Sequence, residues 1–251
     1  MRNAMNNYGL VSISFRKHTP KEILEAMKEA GLSSIEWGGD VHAPHGDITE
    51  CERIRALSSE YGIRIAEYGS YYKIGQSEPE LFDKVLASAK ALGTDIIRVW
   101  PAMNTPSDSI TVADYEAFVL DARRICDLAA GFTVALECHP KSLTDEYHHA
   151  LSFIKDVGRD NLKSFWQPNQ HRSLEYNTDS IRAMLPYIVS AHVFSWTRNE
   201  KYPLDRKERD WLEYIRLLSE RPINYMLEFM HDGRIETLKE TAKILKKWLN
   251  K

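Results

Sequence analysis

Residues able to hold a metal ion or move a proton recur at the ends of short apolar runs in this chain. Met226-Leu227-Glu228-Phe229 is apolar except for its glutamate, and Thr133-Val134-Ala135-Leu136-Glu137 stays largely apolar until its last residue. A carboxylate in such a run is costly to bury without a partner. Other runs end in Glu36-Trp37, Glu67-Tyr68, Arg98-Val99-Trp100 and Glu137-Cys138-His139. Another ends in Gln167, with His171 just beyond it, and one carries His192. Two carboxylates, an imidazole and an amide oxygen drawn from these ends make a donor set for one divalent ion. Mn²⁺ is the favoured ion, with Mg²⁺, Co²⁺ or Zn²⁺ as alternatives.

Each residue also has a plainer reading. Arg98 either holds a carboxylate or phosphate of a substrate or neutralises a buried glutamate. A lone histidine is commonly structural. Trp37, Trp100, Trp166 and Trp196 serve equally as rim packing, and Glu67 fits the helix-facing side of its strand. The joint occurrence on four successive late runs favours a site, because structural ion pairs have no reason to gather there. Tyr68, Trp100 and Trp196 are expected to wall a substrate, with Trp37, Arg98 and His171 also in contact with it. Cys51 and Cys126 fall in helical segments, and alternation turns Cys138 away from the space that Glu137 faces. The His148-His149 pair falls on a helix and reads as solvated.

The elements that must position these residues repeat one unit. Strands are expected at Tyr8 to Ser14, Ser34 to Trp37, Ile63 to Tyr68, Ile96 to Trp100, Thr133 to Glu137, Leu162 to Gln167, Ile188 to Val193 and Tyr225 to Phe229. Several are nearly continuous in apolar residues, as parallel strands buried on both faces are. Helical spacing fills the gaps, beginning with Thr19-Pro20 as cap and first turn. Further helices are expected at Ile48 to Tyr61, Pro79 to Leu92, Val112 to Ala129, Asp145 to Val157, Thr178 to Leu185, Glu208 to Ser219 and Ile235 to Leu249. Gly31, Gly62, Gly93 and Gly131 punctuate helix ends. Eight such units predict an α/β fold, a (β/α)8 TIM barrel, as one domain over residues 1–251, with its site at the C-terminal ends of the strands. The irregular stretch from Ser195 to Lys207 is expected to overhang that mouth.

The composition agrees with a small-molecule enzyme. At 251 residues and 43% hydrophobic, the chain has the length of one barrel and the means to fill its core. The net charge of −3, with no basic stripe, argues against nucleic acid. Three scattered cysteines make neither a disulfide framework nor a zinc ribbon, as expected of a reducing, cytoplasmic setting. No signal pattern and no membrane-length apolar run is visible. A homo-oligomer is compatible with all of this.

The segments Gly9-Leu10-Val11-Ser12-Ile13-Ser14-Phe15, Ile35-Glu36-Trp37-Gly38, Ala135 to Asp145, Ala191-His192-Val193 and Met226-Leu227-Glu228 resemble the xylose isomerase-like barrels, the sugar phosphate isomerase/epimerase superfamily. The resemblance runs over essentially the whole chain. It implies metal ligands at Glu137, Gln167, His192 and Glu228, and proton transfer by the two glutamates as in ketose epimerases. Local similarity of Glu137-Cys138-His139-Pro140 to 3-dehydroshikimate-type dehydratases implies substrate contact at His139. The family's usual strand-six ligand is aspartate, followed three residues later by histidine. Here Gln167 stands in its place and His171 follows four residues on, so the resemblance implies a less negative site with weaker metal binding.

The expected activity is therefore metal-dependent isomerisation or epimerisation of a sugar or sugar phosphate. Glu137 and Glu228 exchange a proton next to a carbonyl through a metal-stabilised enediolate. One alternative is dehydration of a polyhydroxy keto compound, of dehydroshikimate or inosose type, at the same site. A second is a degenerate barrel that binds a sugar-like ligand. Apurinic endonuclease chemistry needs a larger ligand cluster for three metals, and Tyr68, Arg98 and Gln167 occupy relevant strand ends.

Overall fold

The computed structural model describes residues 7–197 and 200–250. Eight parallel strands close into a barrel in sequence order. They are β1 (Asn7–Val11), β2 (Ser34–Gly38), β3 (Arg64–Lys73), β4 (Ile96–Trp100), β5 (Thr133–Glu137), β6 (Leu162–Trp166), β7 (Ile188–Val193) and β8 (Asn224–Leu227). The first four are followed by helices α1 (Pro20–Ala30), α2 (Ile48–Glu60), α3 (Leu81–Leu92) and α4 (Val112–Leu128). The last four are followed by α5 (Tyr147–Val157), α6 (Leu174–Met184), α7 (Glu208–Leu218) and α8 (Leu238–Leu249). The predicted (β/α)8 barrel is the observed fold. Among the described residues no helix is long and apolar enough to cross a membrane.

Local chemistry explains the element ends. Thr19 and Glu22 form a reciprocal capping box at α1, with Pro20 in the first turn. Gly31 ends α1 at φ 63°, where a side chain would be strained. Several boundaries differ from the sequence expectation, among them four with a visible local cause or consequence. β1 stops at Val11 and continues as a 3-10 turn, Ser12–Phe15, so that the Ser12 hydroxyl accepts from Gly38 N and the Ser14 hydroxyl from Phe229 N. β3 runs five residues further than expected, to Lys73, still paired to β4. β8 ends before Phe229, whose φ of 52° is incompatible with a strand. Finally, α6 starts at Leu174 rather than Thr178, because Ser173 caps it by accepting from Tyr176 N.

The larger apolar core lies between barrel and helices, while a small cluster of Val11, Ile13, Ala66 and Met226 is separate from it. At the level where β8 begins, Asn224 Nδ2 donates to Glu67 Oε1 at 2.7 Å, and Arg64 Nη2 donates to Asn224 Oδ1 at 3.2 Å. Glu67 is buried inside the barrel, in contrast to the helix-facing alternative. The functional mouth lies at the opposite, C-terminal ends of the strands.

Candidate functional site

Strand parity decides which side chains reach the mouth, because successive residues point to opposite faces. On β2, Glu36 points inward and Trp37 outward, where Trp37 Nε1 meets Ser58 Oγ of α2 at 3.3 Å. On β3, Tyr68 lies outward: its hydroxyl donates to Ala43 O and meets His45 Nδ1, both at 2.8 Å. Trp37 and Tyr68, expected to contact substrate, therefore pack under the helices instead. The correct parity on β3 is Glu67, Gly69 and Tyr71, so the extended strand delivers Tyr71 to the mouth. Gly69 lacks a side chain for a reason: a Cβ there would lie 2.4 Å from Glu36 Oε1 and 2.5 Å from Arg98 Nη2.

Arg98 sits at the centre, fully buried. Its Nε and Nη2 donate to Glu36 Oε1 at 2.9 and 2.7 Å, and its Nη1 donates to Glu137 Oε2. His192 lies beside this pair. Its Nε2 is 3.3 Å from Glu36 Oε2, while Nδ1 is 3.3 Å from Gln167 Oε1 and 3.6 Å from Glu228 Oε1. The orientation of Gln167 follows from an obligatory acceptor: its amide nitrogen donates to Cys138 O at 2.5 Å, which turns the amide oxygen toward His192. Arg98 neutralises two carboxylates, the plainer of its two readings, and also lines the mouth cavity.

Electrostatics divide the carboxylates. Burial alone would raise Glu36, but Arg98 and His192 outweigh it and hold that carboxyl at about 2. Burial dominates at Glu228 and raises it to about 7. Burial lowers His192, yet Glu228 and Glu36 outweigh that and lift it to about 9. Arg98 is pushed further above its ordinary range, because Glu137 and Glu36 overcome the cost of burial.

Above this centre opens a cavity of about 270 Å³, at the small end of ligand pockets and sized for a single substituted ring. Its walls are two aromatic stacks. Tyr71 stacks on Trp100 and Trp100 on His139, with ring centres 5.5 and 4.8 Å apart. Opposite, Trp196 stacks on Phe194 at 4.4 Å and lies tilted against Phe229 at 5.3 Å. Tyr71 and Phe229 both hold positive φ, 56° and 52°, which marks backbone bent to present a ring. Lys201 Nζ lies over Trp196 and Phe229, from the stretch expected to overhang the mouth; residues 198 and 199 of that stretch lie outside the described residues.

Trp100, Trp196, Arg98, His139, Gln167, Glu137 and Glu228 line this cavity. His171 does not: it is solvent-exposed on the β6–α6 loop, and Gln170 reaches the cavity instead. The reason is local, since Asn169 Oδ1 caps His171 N and fixes the turn. Sequence reasoning gave no site role to Glu36, Tyr71, Gln170, Phe229 or Arg16. Alternation at Glu36-Trp37 held the signal for Glu36. Nothing local announced Tyr71, because the length of β3 was unknown.

Among the described residues, Glu137, His192 and Glu228 form one buried group whose ligand atoms lie within 4.8 Å of one another. With the Gln167 oxygen turned the same way, this is an oxygen-rich set with one imidazole, and it fits a hard or borderline divalent ion.

Comparisons with known proteins agree with the barrel fold. The model of the xylose isomerase-like TIM barrel family matches residues 24–248. The chain is 27% identical over 206 residues to a 3-dehydroshikimate dehydratase of Bacillus anthracis, spanning 74% of this chain and 70% of that protein. In fold it is similar to the crystal structure of a probable 3-DHS dehydratase of Bacillus anthracis, with TM-score 0.82 at 24% identity over 96% of this chain and 98% of that one. It is also similar to a xylose isomerase-like TIM barrel protein of Mycobacterium smegmatis in complex with magnesium. There the TM-score is 0.78 at 17% identity, over 100% and 99% of the two chains. At these identities the two structures speak for the fold.

Proposed function

Because this chain belongs to the xylose isomerase-like TIM barrel family, we propose that it is a divalent-metal-dependent dehydratase of a small, ring-shaped polyhydroxy keto acid of the 3-dehydroshikimate type. One observation carries this reading over the epimerase expected from sequence: the two glutamates of the site are not equivalent. Glu137 is tied to Arg98, whereas Glu228 stands 3.6 Å from His192 and opens on the cavity. Epimerisation by two matched carboxylates needs both free to exchange a proton, while elimination needs one base and one unlike acid.

His139 supplies the base. Its Nδ1 lies 2.7 Å from the Pro140 carbonyl, which only accepts, so the neutral ring carries its proton there and keeps a lone pair on Nε2. Stacking on Trp100 holds the ring at the cavity wall. Nε2 takes the proton from the carbon next to the carbonyl, and the electron pair forms the new double bond. The β-hydroxyl leaves with a proton from Glu228, as water. A metal held by Glu137, Gln167, His192 and Glu228 would supply Lewis acidity toward the substrate's oxygens. Arg16, exposed on the cavity lining and shared with Asp40 and Tyr71, is the guanidinium placed to meet a substrate carboxylate, and the aromatic stacks suit the flat face of a ring being desaturated.

The test is turnover of 3-dehydroshikimate by the Mn²⁺- or Mg²⁺-loaded chain, read by the growing ultraviolet absorbance of the dihydroxybenzoic acid left on loss of water. Chelator should remove it. An epimerase remains the second reading, since both glutamates line one cavity. Solvent deuterium entering ketoses, with no absorbance change from dehydroshikimate, would establish that reading and overturn ours.

A further inference from the structure

Glu36 touches no part of the cavity, yet it is the residue on which the centre is assembled. It is fully buried, and both carboxylate oxygens are engaged from different sides: Oε1 accepts two bonds from Arg98, and Oε2 faces His192 Nε2. The bare backbone at Gly69 exists in the space this ion pair fills. The geometry points to Glu36 as a positioning residue for the metal centre, one that fixes the proton of His192 on Nε2 and so presents Nδ1 to the ion. This inference rests on the metal reading of the site given above.

The argument is one of donors and acceptors. Binding a cation displaces the proton from the ligand nitrogen of an imidazolium, so the bound ring is neutral and keeps one proton, on its other nitrogen. Nδ1 faces Gln167 and Glu228, so the useful proton position is Nε2. Only an acceptor opposite Nε2 enforces that, and ligand histidines are commonly oriented by a carboxylate in this way. An amide at position 36 cannot do both jobs. Arg98 offers only donors, so the amide oxygen must face Arg98 and the amide NH2 must face His192 Nε2. Nε2 then has to accept, the proton moves to Nδ1, and the ligand lone pair is lost.

This reasoning makes Arg98 the reason that Glu36→Gln fails, which gives a test that a merely structural role would not pass. Mn²⁺ affinity is measured by calorimetry on the metal-stripped chain for wild type, Glu36→Gln, Arg98→Met and the double variant, with thermal melts alongside. Glu36→Gln is expected to weaken Mn²⁺ binding about 10–100-fold. In the Arg98→Met background the amide is free to turn its oxygen to His192, so the same change should cost about fivefold or less. Equal losses in both backgrounds would mean that Glu36 acts through charge or folding alone, and would overturn the inference. So would an unchanged affinity in Glu36→Gln. A wild-type chain that binds no Mn²⁺ would sink the metal reading itself and this inference with it. If Glu36→Gln does not fold, Gly69→Ala serves, since its Cβ would wedge the Glu36–Arg98 pair without touching a ligand. It should weaken Mn²⁺ about tenfold, and wild-type affinity there would count against Glu36.

Discussion

Glu67, deep in the barrel, and Glu228, at its mouth, are both buried among strands, and burial raises both carboxyls, to about 8 and about 7. Their surroundings differ in what can reach them. Glu67 accepts from Asn224, lies near the charge of Glu36, and among the described residues its Oε2 has no hydrogen-bond partner. Glu228 stands beside His192 and opens on the cavity. A raised carboxyl is thus no mark of catalysis by itself; access to a substrate-sized space and to a second proton carrier is what separates the two.

The comparison breaks most visibly at Glu228. Glu228→Gln removes a proposed proton donor and ligand together, and turnover of dehydroshikimate should fall about 10³-fold or more. Glu67→Gln should leave kcat near wild type. Steady-state kinetics on the two variants decide the matter, and equal losses would erase the distinction.

A smaller contrast lies between indoles of opposite parity. Trp100→Ala takes down the stack that holds His139 and should cost about 10–100-fold in kcat/KM. Trp37→Phe loses the bond to Ser58 and part of a buried ring packed against His42, so kcat/KM should hold while stability drops by about 1–3 kcal/mol. An inverted result would return Trp37 to the substrate wall.

The smallest expected effect sharpens the account of the barrel's depths. With its folded value raised to about 8, Glu67 stays protonated in the native chain while the unfolded chain ionises near the ordinary carboxyl range. The native state then binds more protons, so stability falls as pH rises from the ordinary value toward 8. Glu67→Gln removes that loss. Its melting temperature should exceed wild type by roughly 3–8 °C at pH 8, with the gain vanishing near pH 4. A constant difference across that range would assign the effect to packing.

Strand order, helix caps and the barrel itself were legible in the sequence, because they depend on local signals: apolar runs, Thr19-Pro20, and glycines that accept positive φ. The residues at the centre were legible for the same reason, since a glutamate ending an apolar run is costly wherever it lies. Glu137, Gln167, His192 and Glu228 stood among the polar residues at the ends of such runs, and the resemblance to xylose isomerase-like barrels singled them out as expected ligands. What the sequence left undecided was parity and reach. Glu36 or Trp37, Glu67 or Tyr68, His171 or Gln170 are neighbouring choices, and a shift of one residue exchanges the two faces of a strand. Only barrel closure, which sets β3 against β2 and β4, turned Glu36 and Tyr71 inward and Tyr68 under α2. Likewise, no local signal pairs Arg98 with Glu36 and Glu137, 62 and 39 residues away in the chain. That pairing is a tertiary fact, because the cost of burying three charges is met only where their strands bring them into contact.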